Sequence, residues 1–123
     1  MAEVTIVTGF FDLDRKNWVG FERSSNTYIA FFKFWAGLKN KIIIYSDADT
    51  CEQVLQIRKK LGLLEKTEAV IIDDYKALEP ELYLKIQKAM QSPFTKKFRL
   101  KPDNPESWNA DYNYIMLLKE WCL

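Results

Sequence analysis

A chain of 123 residues is enough for one globular core, and an apolar share of 48% is not that of a disordered polymer. Its 18 Lys+Arg against 17 Asp+Glu leave none of the charge bias that polyanion binders carry, so no nucleic-acid partner is expected. The absence of histidine removes Ser-His and Cys-His nucleophile pairs and histidine metal ligands, leaving chemistry to carboxylates, Arg, Lys, Tyr and backbone amides.

Met1-Ala2-Glu3 runs directly into strand-like sequence, without a basic leader or an apolar signal core, and no apolar run reaches membrane-spanning length. Cys51 and Cys122 lie far apart, without metal-ligand spacing, and read as reduced thiols. A soluble chain in the reducing cytoplasm is the expectation.

The first element is Thr5-Ile6-Val7-Thr8, a β-branched run that empties into Gly9-Phe10-Phe11-Asp12-Leu13-Asp14-Arg15. That is the profile of a buried parallel strand leading into a working loop, here long and rich in aromatic and charged residues as far as Ser24. Ser24-Ser25-Asn26 supplies N-cap chemistry for a helix to about Leu38, with Tyr28, Phe31, Phe32, Trp35 and Leu38 as its expected core stripe. Gly37 or Asn40 ends it, and Ile42 to Tyr45 form a second strand. Asp49 or Thr50 is the expected cap of a second helix bearing Val54, Ile57 and Leu61, whose terminal Arg58-Lys59-Lys60 complements the helix dipole.

A third strand covers about Ala69 to Ile72, and a helix opens at Pro80 and runs to about Gln91. From Ser92 to Pro105 the chain alternates Lys96, Lys97, Arg99 and Lys101 with Phe94, Phe98 and Leu100, the pattern of a solvated loop or edge strand, with a phosphate-facing basic patch as the alternative. Glu106 opens a last helix to Leu123, with Tyr112, Ile115, Met116 and Leu118 on its apolar face. Alternating strands and helices predict one α/β domain over residues 1–123, a three-layer α/β/α sandwich on a mostly parallel, Rossmann-like sheet. Three strands are few for such a sheet, so the chain is expected to stop in mid-domain.

Each strand delivers carboxylates to one edge: Asp12 and Asp14, Asp47 and Asp49, Asp73 and Asp74. In open α/β sheets ligands bind at that carboxyl edge. One reading is a haloacid-dehalogenase type of Mg²⁺-dependent phosphatase, with Asp12 as nucleophile, Asp14 as acid/base and Ser46 after the second strand. Against it, Arg15-Lys16 stand where small residues normally follow the acidic pair, and the chain has no room for a cap. A second reading takes Asp47-Ala48-Asp49 as the Asp-X-Asp metal motif of nucleotide-sugar glycosyltransferases. A third assigns all six acids to helix caps and solvated loop ends.

Longer segments carry a resemblance. Thr5-Ile6-Val7-Thr8-Gly9-Phe10-Phe11-Asp12 with Arg15 and Trp18, then Arg23-Ser24 with Tyr28 and Phe32, and Asn104-Pro105-Glu106-Ser107-Trp108-Asn109-Ala110-Asp111-Tyr112 resemble the two signatures of the HtrL/YibB family. That family commonly has a small residue where Asp14 stands, which counts against the phosphatase. The resemblance implies a GT-A glycosyltransferase fold and a role in lipopolysaccharide core or other surface-glycan biosynthesis. The partners it implies are a nucleotide-sugar donor and a glycan or glycolipid acceptor, with peripheral membrane association compatible. A divalent cation, manganese or magnesium, would serve the full-length protein, its ligands lying beyond this chain; catalytic residues are not assigned. By the same resemblance Thr8, Phe10 and Asp12 would cradle base and ribose, and Asp47 would accept from a base imide or ribose hydroxyl. Arg15 and Arg23 would neutralise the diphosphate, and Asn109 and Asp111 would face the donor sugar. The rival class is a non-catalytic binding module built on the same sheet.

Overall fold

The β-branched runs form the strands expected of them. In the computed structural model, which describes residues 3–13, 15–18, 24–97, 101 and 103–119, β1 (Ile6–Gly9), β2 (Ile42–Ser46) and β3 (Thr67–Ile71) make a parallel sheet in the order β1-β2-β3. Ile6 pairs with Ile42 and Ile42 with Thr67. The third strand therefore begins at Thr67, two residues before the apolar run that marked it. The chain divides into two compact units, residues 1–73 and 74–121, and the whole sheet belongs to the first.

Helices α1 (Ser25–Trp35) and α2 (Ala48–Lys60) are the two crossovers. Both connections step the same way across the sheet, and right-handed crossovers then place both helices on one face. The core agrees: Ile29, Phe32 and Ala36 from α1 and its end, Val54 from α2, and Ile42 and Ile44 from β2 form one buried cluster. Ile6, Trp35, Ile57 and Ala69 pack against it.

Ser24 caps α1 as expected, its hydroxyl accepting from the Thr27 amide at 3.2 Å. The helical period was legible, and Phe32 and Trp35 of the expected stripe do reach the core, but the stripe was drawn too wide. Phe31 and Leu38, expected in the core, are exposed, while Ile29 and Ala36 point inward.

The cap of α2 is Asp47, one strand end earlier than Asp49 or Thr50. Its Oδ1 accepts from the Thr50 amide at 2.8 Å and its Oδ2 from the Thr50 hydroxyl at 3.1 Å. The helix closes with Gly62 at φ +73°, where the Leu63 amide donates to the Arg58 carbonyl and the Gly62 amide to Lys59, a Schellman ending. Leu61 is half exposed, and Arg58, expected as a solvated dipole partner, is fully buried.

In the second unit α3 (Pro80–Gln91) starts on its proline as expected. Pro93–Lys97 forms a short helix, α4, where a loop or edge strand was expected; Phe98, Arg99 and Leu100 lie outside the described residues. The final helix is two: α5 (Pro105–Trp108) and α6 (Ala110–Leu118), broken at Asn109, whose φ of −109° and ψ of 110° are extended. An asparagine side chain satisfies a new helix start, so the chain re-caps instead of continuing. The buried face of α6 is Tyr114, Ile115 and Leu118, with Met116 exposed; residues 120–123 lie outside the described set.

Candidate functional site at the carboxyl edge of the sheet

The carboxyl ends of the three strands are stitched together by the last residue of the middle one. Ser46 is fully buried, and its hydroxyl donates to the Phe10 carbonyl at 2.5 Å. The Phe10 amide donates to the Tyr45 carbonyl at 3.0 Å, and the Ile72 amide to the Ser46 carbonyl at 2.7 Å. Exits of β1 and β3 are thus held against β2, which fixes where their loops begin. The Cys51 thiol lies over the same strand end, 3.5 Å from the Ser46 carbonyl. Burial, joined by the charges of Asp47 and Asp73, pushes that thiol's pKa up, so it stays protonated and inert at neutral pH.

Of the residues expected at a nucleotide site, Thr8, Phe10, Asp12 and Asp47 all belong to this edge. Thr8 sits inside β1 opposite Ile44, two residues before the exit. Phe10 packs its ring on Tyr28 of α1, centroids 4.5 Å apart and tilted by 44°. Asp12 is exposed just beyond, in a loop anchored by the buried Phe11 and Trp18. Asp47 is half buried, and both its carboxylate oxygens accept from Thr50. Each oxygen retains a further lone pair. Arg15 opens a 3-10 turn, Arg15–Asn17, after this loop; Arg23 lies outside the described residues.

Asn109 and Asp111 belong to the second unit, where their side chains have local partners. Asn109 caps α6, accepting from the Tyr112 amide at 2.8 Å. Asp111 accepts from Tyr83 at 2.5 Å on one oxygen and from Tyr75 at 3.0 Å on the other, with the Lys76 ammonium 3.5 Å away. Lys76 also sits over both rings, 5.9 Å from that of Tyr75 and 5.4 Å from that of Tyr83. Burial and then the Asp111 carboxylate push the Tyr83 phenol up. For Lys76, burial pulls down, but Asp111 and Tyr83 outweigh it and the net shift is upward. The Tyr114 hydroxyl completes the knot, donating to the Tyr75 carbonyl at 2.6 Å and accepting from the Glu79 amide at 3.0 Å.

The Asp47-Ala48-Asp49 motif does not converge as a cation site. Asp47 turns to Thr50, while Asp49 accepts from Gln53 at 2.8 Å one turn further along α2. Among the described residues no three Cys, Asp or Glu side chains stand together as ligands to a metal ion. No described helix is long and apolar enough to cross a membrane. Sequence reasoning missed Tyr28, the tyrosines of the Asp111 knot and the stitching role of Ser46. A lone Ser at a strand end and scattered Tyr carry no spacing signal.

These features define a parallel α/β unit whose carboxyl edge carries an aromatic pair, Phe10 with Tyr28 of α1, and two carboxylates. The chain belongs to the HtrL/YibB family: the model of that family, described as a bacterial protein of unknown function, matches residues 2–123. It is 31% identical to Protein HtrL of Escherichia coli (strain K12) over 131 residues, covering 98% of this chain and 44% of that protein. No solved structure matches it. The chain thus spans less than half the length of the curated relative it matches.

Proposed function

We propose that this chain is the nucleotide-binding half-site of a glycosyltransferase that uses a nucleotide-sugar donor in the synthesis of lipopolysaccharide or another surface glycan. The observation that supports it most is the carboxyl edge, where Phe10, its ring tilted against that of Tyr28, and Asp47 stand at the ends of adjacent parallel strands. That edge is where open α/β sheets take their ligands. An aromatic face suits a base, and a half-buried carboxylate with spare lone pairs suits a ribose hydroxyl or base imide.

In this reading Thr8 and Asp12 border the base and ribose, and Arg15 and Arg23 are the cations offered to the diphosphate. An acceptor hydroxyl attacks the anomeric carbon as the bond to the diphosphate breaks, and fixed positive charge stabilises the leaving group. The family's description carries no activity, and fold and kinship do not by themselves fix one. The phosphatase alternative loses its serine: Ser46 is buried and spends its proton on the Phe10 carbonyl, so it has none to offer a phosphoryl oxygen.

The test is turnover. The full-length natural protein, supplied with a panel of nucleotide sugars, releases nucleoside diphosphate, and Asp12→Asn mainly raises KM for the donor. A Mg²⁺-dependent hydrolysis of a generic aryl phosphate that vanishes in Asp12→Asn contradicts it.

A further inference from the structure

Helix α1 is apolar on two opposite sides. Ile29, Phe32 and Ala36 face the sheet. On the opposite side stand Ala30, Phe31, Phe34, Gly37 and Leu38, all exposed, with Phe34 at 88%, Phe31 at 50% and Leu38 at 45%. Phe31, Phe34 and Leu38 recur at intervals of three and four residues, so they form one stripe along the helix and its end. No polar residue interrupts it. Single exposed apolar side chains are ordinary, but a continuous aromatic stripe marks a surface that meets something.

The charge around the stripe says what. From Ser24 to Ser46 the chain holds Lys33, Lys39 and Lys41 and no Asp or Glu, in a protein with 17 acidic residues. Lys41 shares its charge with Glu68 at 3.6 Å, whereas Lys33 is exposed at the rim of the stripe and Lys39 is exposed just past Leu38. The stripe stands on the side of α1 turned from the sheet, and a flat lipid layer can cover its length at once. Phenylalanine on one side and lysine at the margin is the pattern of helices that lie in the headgroup layer of anionic bilayers.

We propose that the outer face of α1 is a membrane-docking surface for anionic phospholipid, with Phe31, Phe34 and Leu38 entering the headgroup boundary and Lys33 and Lys39 against the lipid phosphates. The proposal is independent of the glycosyltransferase reading, because none of these residues belongs to the carboxyl edge.

The test is co-sedimentation of the purified chain with vesicles of phosphatidylcholine, with and without phosphatidylglycerol. Binding is expected on the anionic vesicles, weakened by salt. The double variant Phe31→Ser/Phe34→Ser should lose binding by at least about tenfold, because the anchoring apolar area is gone. Its circular dichroism should not change, since both side chains leave solvent and not core. Lys33→Glu, which leaves the rings in place, should weaken binding to anionic vesicles alone. Absence of vesicle binding, or binding unchanged in the double variant, overturns the proposal. So does sedimentation showing a wild-type dimer that the double variant converts to monomer, for then a second copy covers the stripe.

Discussion

Nη1 of Arg58 lies 2.7 Å from the carbonyl oxygen of Ala36, the residue that ends α1. The same nitrogen donates to Leu38 at 2.6 Å, Nη2 to Asn40 at 2.9 Å and Lys66 at 3.3 Å, and Nε to the Thr67 hydroxyl at 2.8 Å. Five donors meet five neutral oxygens, which is the full capacity of a guanidinium. Thr67 passes the chain on by donating to the Leu63 carbonyl at 2.9 Å. One of the accepted carbonyls, that of Ala36, lies at the negative end of the α1 dipole, which offsets part of the cost of burying the charge. The cation thereby joins the end of α1 and the loop before β2 to the start of β3, at the edge of the sheet opposite the candidate site.

Burial lowers the pKa of that guanidinium, but no accessible pH removes its proton, so the test is substitution. Lysine has three donors on a point charge and leaves at least two oxygens unpaired. Arg58→Lys should cost about 1–3 kcal/mol in urea unfolding, and Arg58→Met more, roughly 3–5 kcal/mol, because several buried carbonyls then lose their partner together. A Met variant as stable as wild type would show that water replaces the guanidinium.

Gly62 tests backbone conformation alone. Nothing lies within 4 Å of the Cβ that a substitution would add there, so Gly62→Ala should cost roughly 1–2 kcal/mol purely for holding φ at +73°. Gly37 has no such φ, and Gly37→Ala should be close to neutral by the same measurement.

Capping separates Asp47 from Asp49. Asp47→Ala removes the N-cap of α2 and should cost about 1 kcal/mol, whereas Asp49→Ala removes one exposed bond to Gln53 and should change stability by a few tenths of that. Thermal unfolding of the two variants side by side checks the order.

The Asp111 knot makes the second unit sensitive to alkali. Lys76, Tyr83 and Tyr114 are all raised above ordinary values near 10, so each favours its protonated form more in the folded state than in the unfolded one. Their contribution is complete below those ordinary values and is lost as pH climbs through the raised ones. Stability should fall above about pH 10, and Tyr83→Phe should flatten the fall. An unchanged slope in Tyr83→Phe would remove Tyr83 from the effect.

The parallel α/β class was legible because three β-branched runs sit between caps and helical periods. Ser24 and Pro80 announced their helices by chemistry that acts within four residues. What was illegible depends on contacts far along the chain. Arg58 reads as a dipole-terminating cation until the carbonyls of residues 36–40 and 66 close around it. Asp49 and Thr50 read as the cap of α2 until the end of β2 hands that role to Asp47. Asn109 reads as the interior of a helix until its own side chain restarts one. At the candidate site the types at the strand exits were legible, but the stitch through Ser46 and the pairing of Phe10 with Tyr28 join residues 18 or more positions apart, which no spacing reports.

The most direct test of the nucleotide half-site is amide chemical-shift mapping of this chain with a nucleoside diphosphate. The account predicts perturbations that saturate and concentrate in residues 8–12 and 45–48, with Phe10→Ala and Asp47→Asn each weakening binding by about 1–3 kcal/mol while the fold persists. Saturable shifts centred away from that edge, or none at millimolar nucleotide, would contradict it.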